Sequence, residues 1–473
     1  MITNYFTRPQ LWMPAYNPII WSFVSDETTQ PDFSYIVDVY VTAVTAPTTY
    51  SYRLVQKPNP TGNCIVDVSS IVQGFFDMSN FYGTEYGGSV TPPRFAKYGY
   101  GNDPGSEKWN AIASVYIVVG EQYSVNGVLT TFDGFGSVGN PGYDLYSDFA
   151  SEPVRVLPGA LPYEDSVANL MATSLANSFY APYIMDGDGK FLTRLGPTQD
   201  IAVGQTHTLG FLNWWDGATG SYASPIRQIN VDFYTGANTL ISTTTYLNTV
   251  AEGGGPQTTS NYTSATFDIS AAALSVRVGP ADLTIPADTS YYTVQAFFKS
   301  TAPASPITVE PASEILKFNL VEYCEDLFPV VRVGWLNDLG GKDYYNFTMF
   351  YEKTTSSPDE TWYQPEINWD GATPYPTTQT GSWWLRGGFK SFGKSVTTSF
   401  VLQTDFVLQE TVDALGQIFE SPLVWAYIGT TSTDPIALQV TGIDYTYTTV
   451  KLVKLVQVTL ECQFNKIQPK QIL

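Results

Sequence analysis

At 473 residues the chain is too long for one ordinary core, and about three domains are expected. Its formal net charge of -21, from 44 acids against 23 bases, leaves no basic footprint of the kind a duplex or membrane-surface binder needs. With 43% hydrophobic and 15% aromatic residues it can bury large cores, which excludes a disordered polyanion.

The 32 Tyr, 27 Phe and 11 Trp lie among many β-branched residues, a mixture that favours strands over helices. The expected class is mainly β: tandem β-sandwich domains of immunoglobulin or fibronectin type, then a C-terminal β-rich domain packing one helix. Cys64, Cys324 and Cys462 are far apart and odd in number, which argues against zinc and against a disulfide framework. The start, MITNYFTRPQLWMP, lacks the charged-then-apolar pattern of a signal peptide, and no apolar run reaches membrane-spanning length. The expectation is a chain folded in a reducing cytoplasm, with no membrane partner. The sequons at Asn261 and Asn346 then count as chance matches.

Residues 1–160 read as an N-terminal β-sandwich. Phe33, Tyr35, Val37, Val39 and Val41 alternate with Ser34, Ile36, Asp38, Tyr40 and Thr42, the period of a strand. Strands are also expected at Ile19–Val24, Tyr50–Val55, Ile112–Val119 and Gly120–Val125, with a hairpin turn at Asn126-Gly127. Around Asp67 and Ser69 a short strand enters a helical turn that either residue could cap. The Gly, Pro, Tyr and Asn of residues 80–108 read as a long loop, and loops that long are usually binding or assembly elements.

Residues 161–199 read as a helical linker, with Val167, Leu170, Met171, Ser174 and Leu175 at helical spacing. Asp186-Gly187-Asp188-Gly189 opens like a calcium loop, but Pro197 stands where the twelfth-position Glu belongs, which favours a hairpin turn. A second β-sandwich is expected over 200–325. Two of its stretches echo the first in the same order: SYIVDVY from Ser34 against QINVDFY from Gln228, and VDVS from Val66 against FDIS from Phe267. Duplication and convergent strand patterning both account for that echo.

A C-terminal domain is expected over 326–473. In VRVGWLNDLGGKDYYNFTMFY, Val331, Val333 and Trp335 alternate with Arg332 and Gly334, as in a strand with one buried face. Asn337 to Gly341 supplies the turn, and Tyr345, Phe347, Met349 and Tyr351 restart the alternation. A helix is expected over 405–419, with Leu408, Val412, Leu415, Ile418 and Phe419 on one stripe and Thr404 as its cap. Leu452–Cys462 reads as one long closing strand, followed by the extended tail NKIQPKQIL.

Residues suited to chemistry are few. His207 is the one histidine, which excludes multi-histidine metal sites, and no GxSxG, Walker or post-strand GxGxxG pattern is present. Neither a catalytic residue nor a cofactor nor a metal is therefore expected, and the chain is not expected to be an enzyme. Asn213-Trp214-Trp215-Asp216-Gly217-Ala218-Thr219 echoes Asn368-Trp369-Asp370-Gly371-Ala372-Thr373. Asp-Gly over a packed Trp suits a tight turn; the alternative makes Trp214, Trp215 and Trp369 sugar-stacking platforms.

The hairpin GWLNDLGGKDYYNF, the single helix ending in Glu420-Ser421-Pro422-Leu423-Val424 and the closing strand resemble structural proteins of tailed bacteriophages. With the N-terminal Pro14-Ala15-Tyr16-Asn17-Pro18-Ile19 lead-in and its VDVS segment, the pattern is similar to tail, baseplate or neck components of phages infecting Bacteroidetes. That resemblance implies a virion protein assembled in the host cytoplasm, whose partners are copies of itself and other virion proteins; the missing basic footprint argues against direct contact with nucleic acid. Assembly into a ring or tier would bury aromatic surface, and Tyr82, Tyr98, Tyr100, Lys466 and Lys470 are the expected interface residues. A carbohydrate-binding adhesin or receptor-binding fibre is the alternative function.

Overall fold

The computed structural model describes residues 2–7, 9–10, 12–42, 52–76, 95–97, 113–132, 154–160, 180–183, 188–213, 226–247, 263–270, 274, 285–299, 309–323, 329–356, 359–364, 388–429, 435–444, 455–464 and 468–469. The protein is mainly β, as the composition implies.

The first core lies between two sheets. Its strands are β1 (Ile2–Thr7), β2 (Trp12–Pro14), β3 (Ile20–Ser25), β4 (Ser34–Thr42), β5 (Tyr52–Gln56), β6 (Asn63–Asp67), β8 (Ala113–Val125), β9 (Val128–Phe132) and β10 (Val154–Leu157). One sheet runs β1-β3-β6, the other β2-β10-β8-β4-β5 with β9 beside β8. Trp21 and Phe23 from the small sheet meet Tyr35, Val37, Val39, Ile117 and Val119 from the large one. Burying such a face is worth about 2 kcal/mol per large apolar side chain, the main force holding the layers together. The two expected strands over Ile112–Val125 are one strand, β8. At Asn126-Gly127 both residues have positive φ, 52° and 80°, which gives the hairpin turn into β9 its twist. The short helix α1 (Ser69–Gln73) has no side-chain cap on its N-cap residue, Val68. Asp67 instead accepts from the backbone N–H groups of both Ser69 and Ile19, tying the helix to the start of β3.

The second core repeats that plan. Its strands are β11 (Thr198–Ile201), β12 (Thr208–Asn213), β13 (Ile226–Tyr234), β14 (Leu240–Leu247), β15 (Thr263–Asp268), β16 (Tyr291–Lys299), β17 (Val309–Pro311) and β18 (Leu316–Leu320). The large sheet runs β11-β18-β16-β13-β14, with β17 beside β16. Strand for strand this matches β2-β10-β8-β4-β5 with β9 beside β8, including the one parallel pair at the edge. The sequence echoes fall on matching elements: SYIVDVY is β4 and QINVDFY belongs to β13, while Asp67 ends β6 and Asp268 ends β15. Asp268 accepts from Ser270 N–H as Asp67 does from Ser69, and Ile269 N–H bonds the His207 carbonyl as Val68 N–H bonds that of Ile19. Shared pairing order and shared turn hydrogen bonds favour duplication over convergence.

One strand crosses between the two cores. Within the 80–108 stretch, expected to be loop throughout, Phe95–Lys97 forms β7 and pairs with β15 of the second core's small sheet.

The third core is one sheet covered by a helix. Its strands are β19 (Val331–Leu336), β20 (Lys342–Phe347), β21 (Phe350–Ser356), β22 (Asp359–Gln364), β23 (Gly388–Gln403), β24 (Val407–Leu408), β25 (Val424–Ile428), β26 (Ile436–Asp444), β27 (Leu455–Val456), β28 (Thr459–Phe464) and β29 (Gln468–Pro469). The main sheet runs β20-β19-β25-β26-β28-β23-β21, with β22 and β29 flanking the first half of β23. The helix α2 (Gln409–Glu420) buries Val412, Leu415 and Ile418 against it.

Four expectations fail here. Leu408 is extended and lies opposite Leu455 in a two-stranded sheet, so it is exposed, as is Phe419. Thr404 does not cap α2, whose N-cap residue is Leu408; its hydroxyl accepts from Val458 N–H instead. The long closing strand is broken into β27 and β28, which pair with different partners. β19 has no solvent face, because all six of its residues are buried.

Candidate functional site

Arg332 belongs to the face of β19 expected in solvent, yet it is fully buried. Its guanidinium donates to the Thr206 carbonyl at 3.0 Å, to Gln205 Oε1 at 3.2 Å and to Asn346 Oδ1 at 3.1 Å. Nη2 lies 2.7 Å from His207 Nδ1. Since a guanidinium only donates, Nδ1 is the acceptor and the imidazole proton sits on Nε2. Burial, then the neighbouring Arg332 charge, holds the His207 pKa well below its ordinary value, so the ring is neutral. Burial also lowers Arg332, to about 10, which leaves it charged at neutral pH. His207 packs edge-on against Phe318 and tilted against Tyr344, whose hydroxyl meets Thr208 Oγ1 at 3.0 Å. The single histidine thus joins the second core to the third.

A second polar knot surrounds the β19–β20 turn. Asn337 Oδ1 accepts from Leu339 and Gly341 N–H, which shapes the turn. Asn337 Nδ2 donates to the Leu192 carbonyl and to Asp343 Oδ2, both at 2.9 Å. Asp343 also accepts from Thr193 Oγ1 and Arg194 N–H. Burial raises its pKa to about 6 against those hydrogen bonds, which pull it down. Arg194 grips Asp338 with two parallel bonds, 2.8 and 2.7 Å.

The first core reaches the same turn. Ala160 N–H donates to the Asp338 carbonyl at 3.0 Å, and the Tyr180 hydroxyl donates to the Leu339 carbonyl at 3.3 Å. Glycine is required where these backbones meet. A methyl group at Gly341 would overlap the Leu192 carbonyl oxygen, and one at Gly159 would overlap that of Asp338. Residues 337–343 are therefore the place where all three cores are fastened together.

The arrangement binds polypeptide to polypeptide. Its imidazole, its carboxylates and the Arg332 guanidinium are buried and held by hydrogen bonds, and the half-buried Arg194 is paired with Asp338. Among the described residues no group of three or more His, Cys, Asp or Glu could hold a metal ion, and no helix is long and apolar enough to cross a membrane. Burial pushes the Cys64 and Cys462 thiols up to about 12, far from the range of a nucleophile.

Tyr82, Tyr98, Tyr100, Lys466 and Lys470 lie outside the described residues, as do Trp214, Trp215, Asp216, Trp369, Asp370 and the helix expected near Val167. Part of the tail is described: Gln468–Pro469 pairs with β23 of the same chain. Sequence reasoning missed Arg332, Asp343 and Asn337. The signal was one polar pair at matching hairpin positions, Arg332 opposite Asn346, with the acid Asp343 opposite Trp335. Charged residues placed this way in an otherwise aromatic hairpin point to a second face covered by protein.

No protein-family model matches the chain, and no curated protein matches it. Among solved structures, a chain from the tail of an empty gene transfer agent particle with C6 symmetry is similar over 30% of this chain and 96% of its own, at 14% identity and TM-score 0.19. A chain from the virion of a native gene transfer agent particle is similar over 32% and 100%, at 12% identity and TM-score 0.18. A marsupial T cell receptor covers 84% of this chain and 96% of its own, at 9% identity and TM-score 0.14. At such TM-scores none of these similarities carries an argument.

Proposed function

We propose that the chain is a non-enzymatic structural component of a phage-type particle, built into the tail, baseplate or neck as a ring or tier through protein–protein contacts. The observation that carries this reading is the use made of its buried and half-buried polar side chains. His207, Arg332, Asp343 and Arg194 are committed to holding three β cores in one arrangement. A protein that must present fixed surfaces to neighbours needs such rigidity, and the hairpin holding the knot is the stretch that resembles phage structural proteins. In this reading the chain divides into domains 1–160, 200–325 and 326–473, with 161–199 as a helical linker. Its partners are further copies and other virion proteins, and no cofactor takes part. The test is mass spectrometry of purified particles combined with an electron cryo-microscopy map. The expected result is a fixed copy number forming a closed tier around the tail axis. Absence from particles, or saturable turnover of a polysaccharide, overturns the reading; projecting copies that bind a glycan favour the adhesin instead.

A further inference from the structure

The two sandwiches differ at one sheet edge. β6 of the first corresponds to β15 of the second, since each ends on the Asp that holds the following turn. In the second sandwich the outer edge of β15 carries β7, a strand supplied from the other repeat. In the first, β6 ends its sheet, and among the described residues no strand pairs with its outer edge.

Hydrogen-bond alternation decides which groups that edge offers. Bonded and unbonded residue pairs alternate along an antiparallel ladder. Val68 N–H bonds the Ile19 carbonyl, one step beyond the Ile20–Asp67 pair, so Trp21–Val66 and Phe23–Cys64 are bonded pairs as well. The backbone N–H and C=O groups of Ile65 and Asp67 therefore point away from β3. The Ile65 carbonyl accepts there from the Gln56 side-chain amide at 2.9 Å, reached from β5 of the other sheet. In the second sandwich Ile269 N–H bonds the His207 carbonyl, which turns Thr266 outward by the same count, and Thr266 lies opposite Ala96 of β7. Ile65 and Thr266 are thus equivalent positions, one facing a glutamine amide and the other a strand.

Sheet edges are commonly blunted by a charge, a proline or a bulge. The centre of β6 has none of these: its register with β3 is unbroken, and Ile65 is 52% exposed. Asn59 closes one end, because its side chain accepts from Asn63 N–H and its own N–H donates to the Asn63 carbonyl. An incoming strand is directed to Ile65 and Asp67. We propose that β6 is a strand-acceptor edge, and that a second copy of the chain supplies an extended segment that displaces the Gln56 amide and pairs with Ile65. The strand on the equivalent edge comes from this same sequence, passed from one repeat to the other, and a second copy offers the same repeats. Main-chain bonds supply the affinity in strand addition, so the contact needs no charged patch. Pairing β6 with a different segment of the neighbour is a heterologous contact, the kind that generates rings. The proposal rests on the reading of the chain as an assembly component and gives that reading a contact.

The test uses full-length protein. Ile65 N–H makes no bond to β3, so Ile65→Pro removes the outward donor and leaves the β3–β6 ladder whole. Ile65→Lys keeps the donor and sets a charge on the edge, which serves if the proline variant fails to fold. Gln56→Ala frees the Ile65 carbonyl. Sedimentation velocity should find that the wild type self-associates, that either Ile65 variant weakens association about tenfold, and that Gln56→Ala strengthens it about threefold. Hydrogen exchange of the wild type should show protection of Asn63 to Asp67 rising with protein concentration. A wild type that stays monomeric at every concentration overturns the proposal, as does association unchanged in Ile65→Lys and in folded Ile65→Pro. Protection of Asn63 to Asp67 that appears only when other particle proteins are added makes the occupant a different chain and overturns the second-copy assignment. Any of these results with the wild type still present in particles leaves the virion reading standing. Wild type that associates as described but is absent from particles removes the virion reading and leaves the contact.

Discussion

Arg332 Nη2 donates to His207 Nδ1 across 2.7 Å, joining a strand of the third core to the segment that leads into β12 of the second. The bond requires a neutral imidazole, so the join is sensitive to acid. The folded pKa of His207 lies below the unfolded one, so below pH 6.5 the unfolded chain binds a proton that the folded chain does not. The stability from this site is complete above pH 6.5 and declines as pH falls below it. Chemical denaturation of His207→Gln should give a shallower acid decline between pH 6.5 and 5, at a cost of about 1 kcal/mol at pH 8. A decline identical to that of the wild type would assign the acid sensitivity to another group.

Asp343 contributes with the opposite sign. Its folded pKa of about 6 lies above the ordinary 3.8, so between these values the folded chain holds the extra proton. Stability from this group is complete below pH 3.8 and is lost as pH rises through 6. Asn at this position keeps one acceptor for Arg194 N–H and Asn337 Nδ2 and turns its amide toward the Thr193 hydroxyl. Asp343→Asn should therefore stay within about 1 kcal/mol of wild type at pH 8, while Asp343→Leu, which strands all three donors, should cost about 3 kcal/mol. Equal losses in the two variants would mean that the charge itself holds the knot.

Much of this fold is written in short-range patterns. The alternation in Phe33–Val41, the Asn126-Gly127 turn and the Val412, Leu415, Ile418 stripe each identify an element, because strand and helix periods depend on neighbours in sequence. The repeated VDVS and FDIS segments mark equivalent turns in the two sandwiches for the same reason. The polar knot was not legible. Arg332 looks like an exposed position until the second core covers it, through contacts over 120 residues away in sequence, while Gly334 makes room for Trp425 of β25. The extent of α2 was blurred because Leu408 fits the helical stripe equally well, yet pairs with Leu455.

Glycine at 341 has a purpose that turn propensity alone does not explain. A methyl group there meets the Leu192 carbonyl oxygen, a backbone atom that cannot swing aside. Gly341→Ala should cost about 3 kcal/mol by forcing apart the Leu192 backbone and the hairpin. Gly127→Ala is the matched control: φ is +80° but nothing lies within 4 Å, so only conformational strain of about 1 kcal/mol is expected. Thermal melting of the pair reads the difference. Equal shifts would mean that the close approach at Leu192 relaxes without cost.

Among the described residues, β7 is the strand by which the part of the chain before residue 160 enters a sheet of the second sandwich. It is three residues long and pairs with β15 alone, Ala96 opposite Thr266, at the edge of a three-stranded sheet. Proline fixes φ near the edge of the extended region and its ring crowds the preceding residue, which a strand of three residues has few other pairings to offset. Ala96→Pro should detach β7 without unfolding either sandwich, because Phe267 keeps its place in the second core through its pairing with Leu209. Hydrogen exchange followed by mass spectrometry is the measurement. Protection should fall for peptides covering Ala265 to Phe267 and for β7 itself, while peptides covering Thr208 to Asn213 keep most of theirs. Loss of protection throughout the second sandwich would mean that β7 is part of its folding unit; no loss at either strand would mean that the pairing does not hold the two regions together.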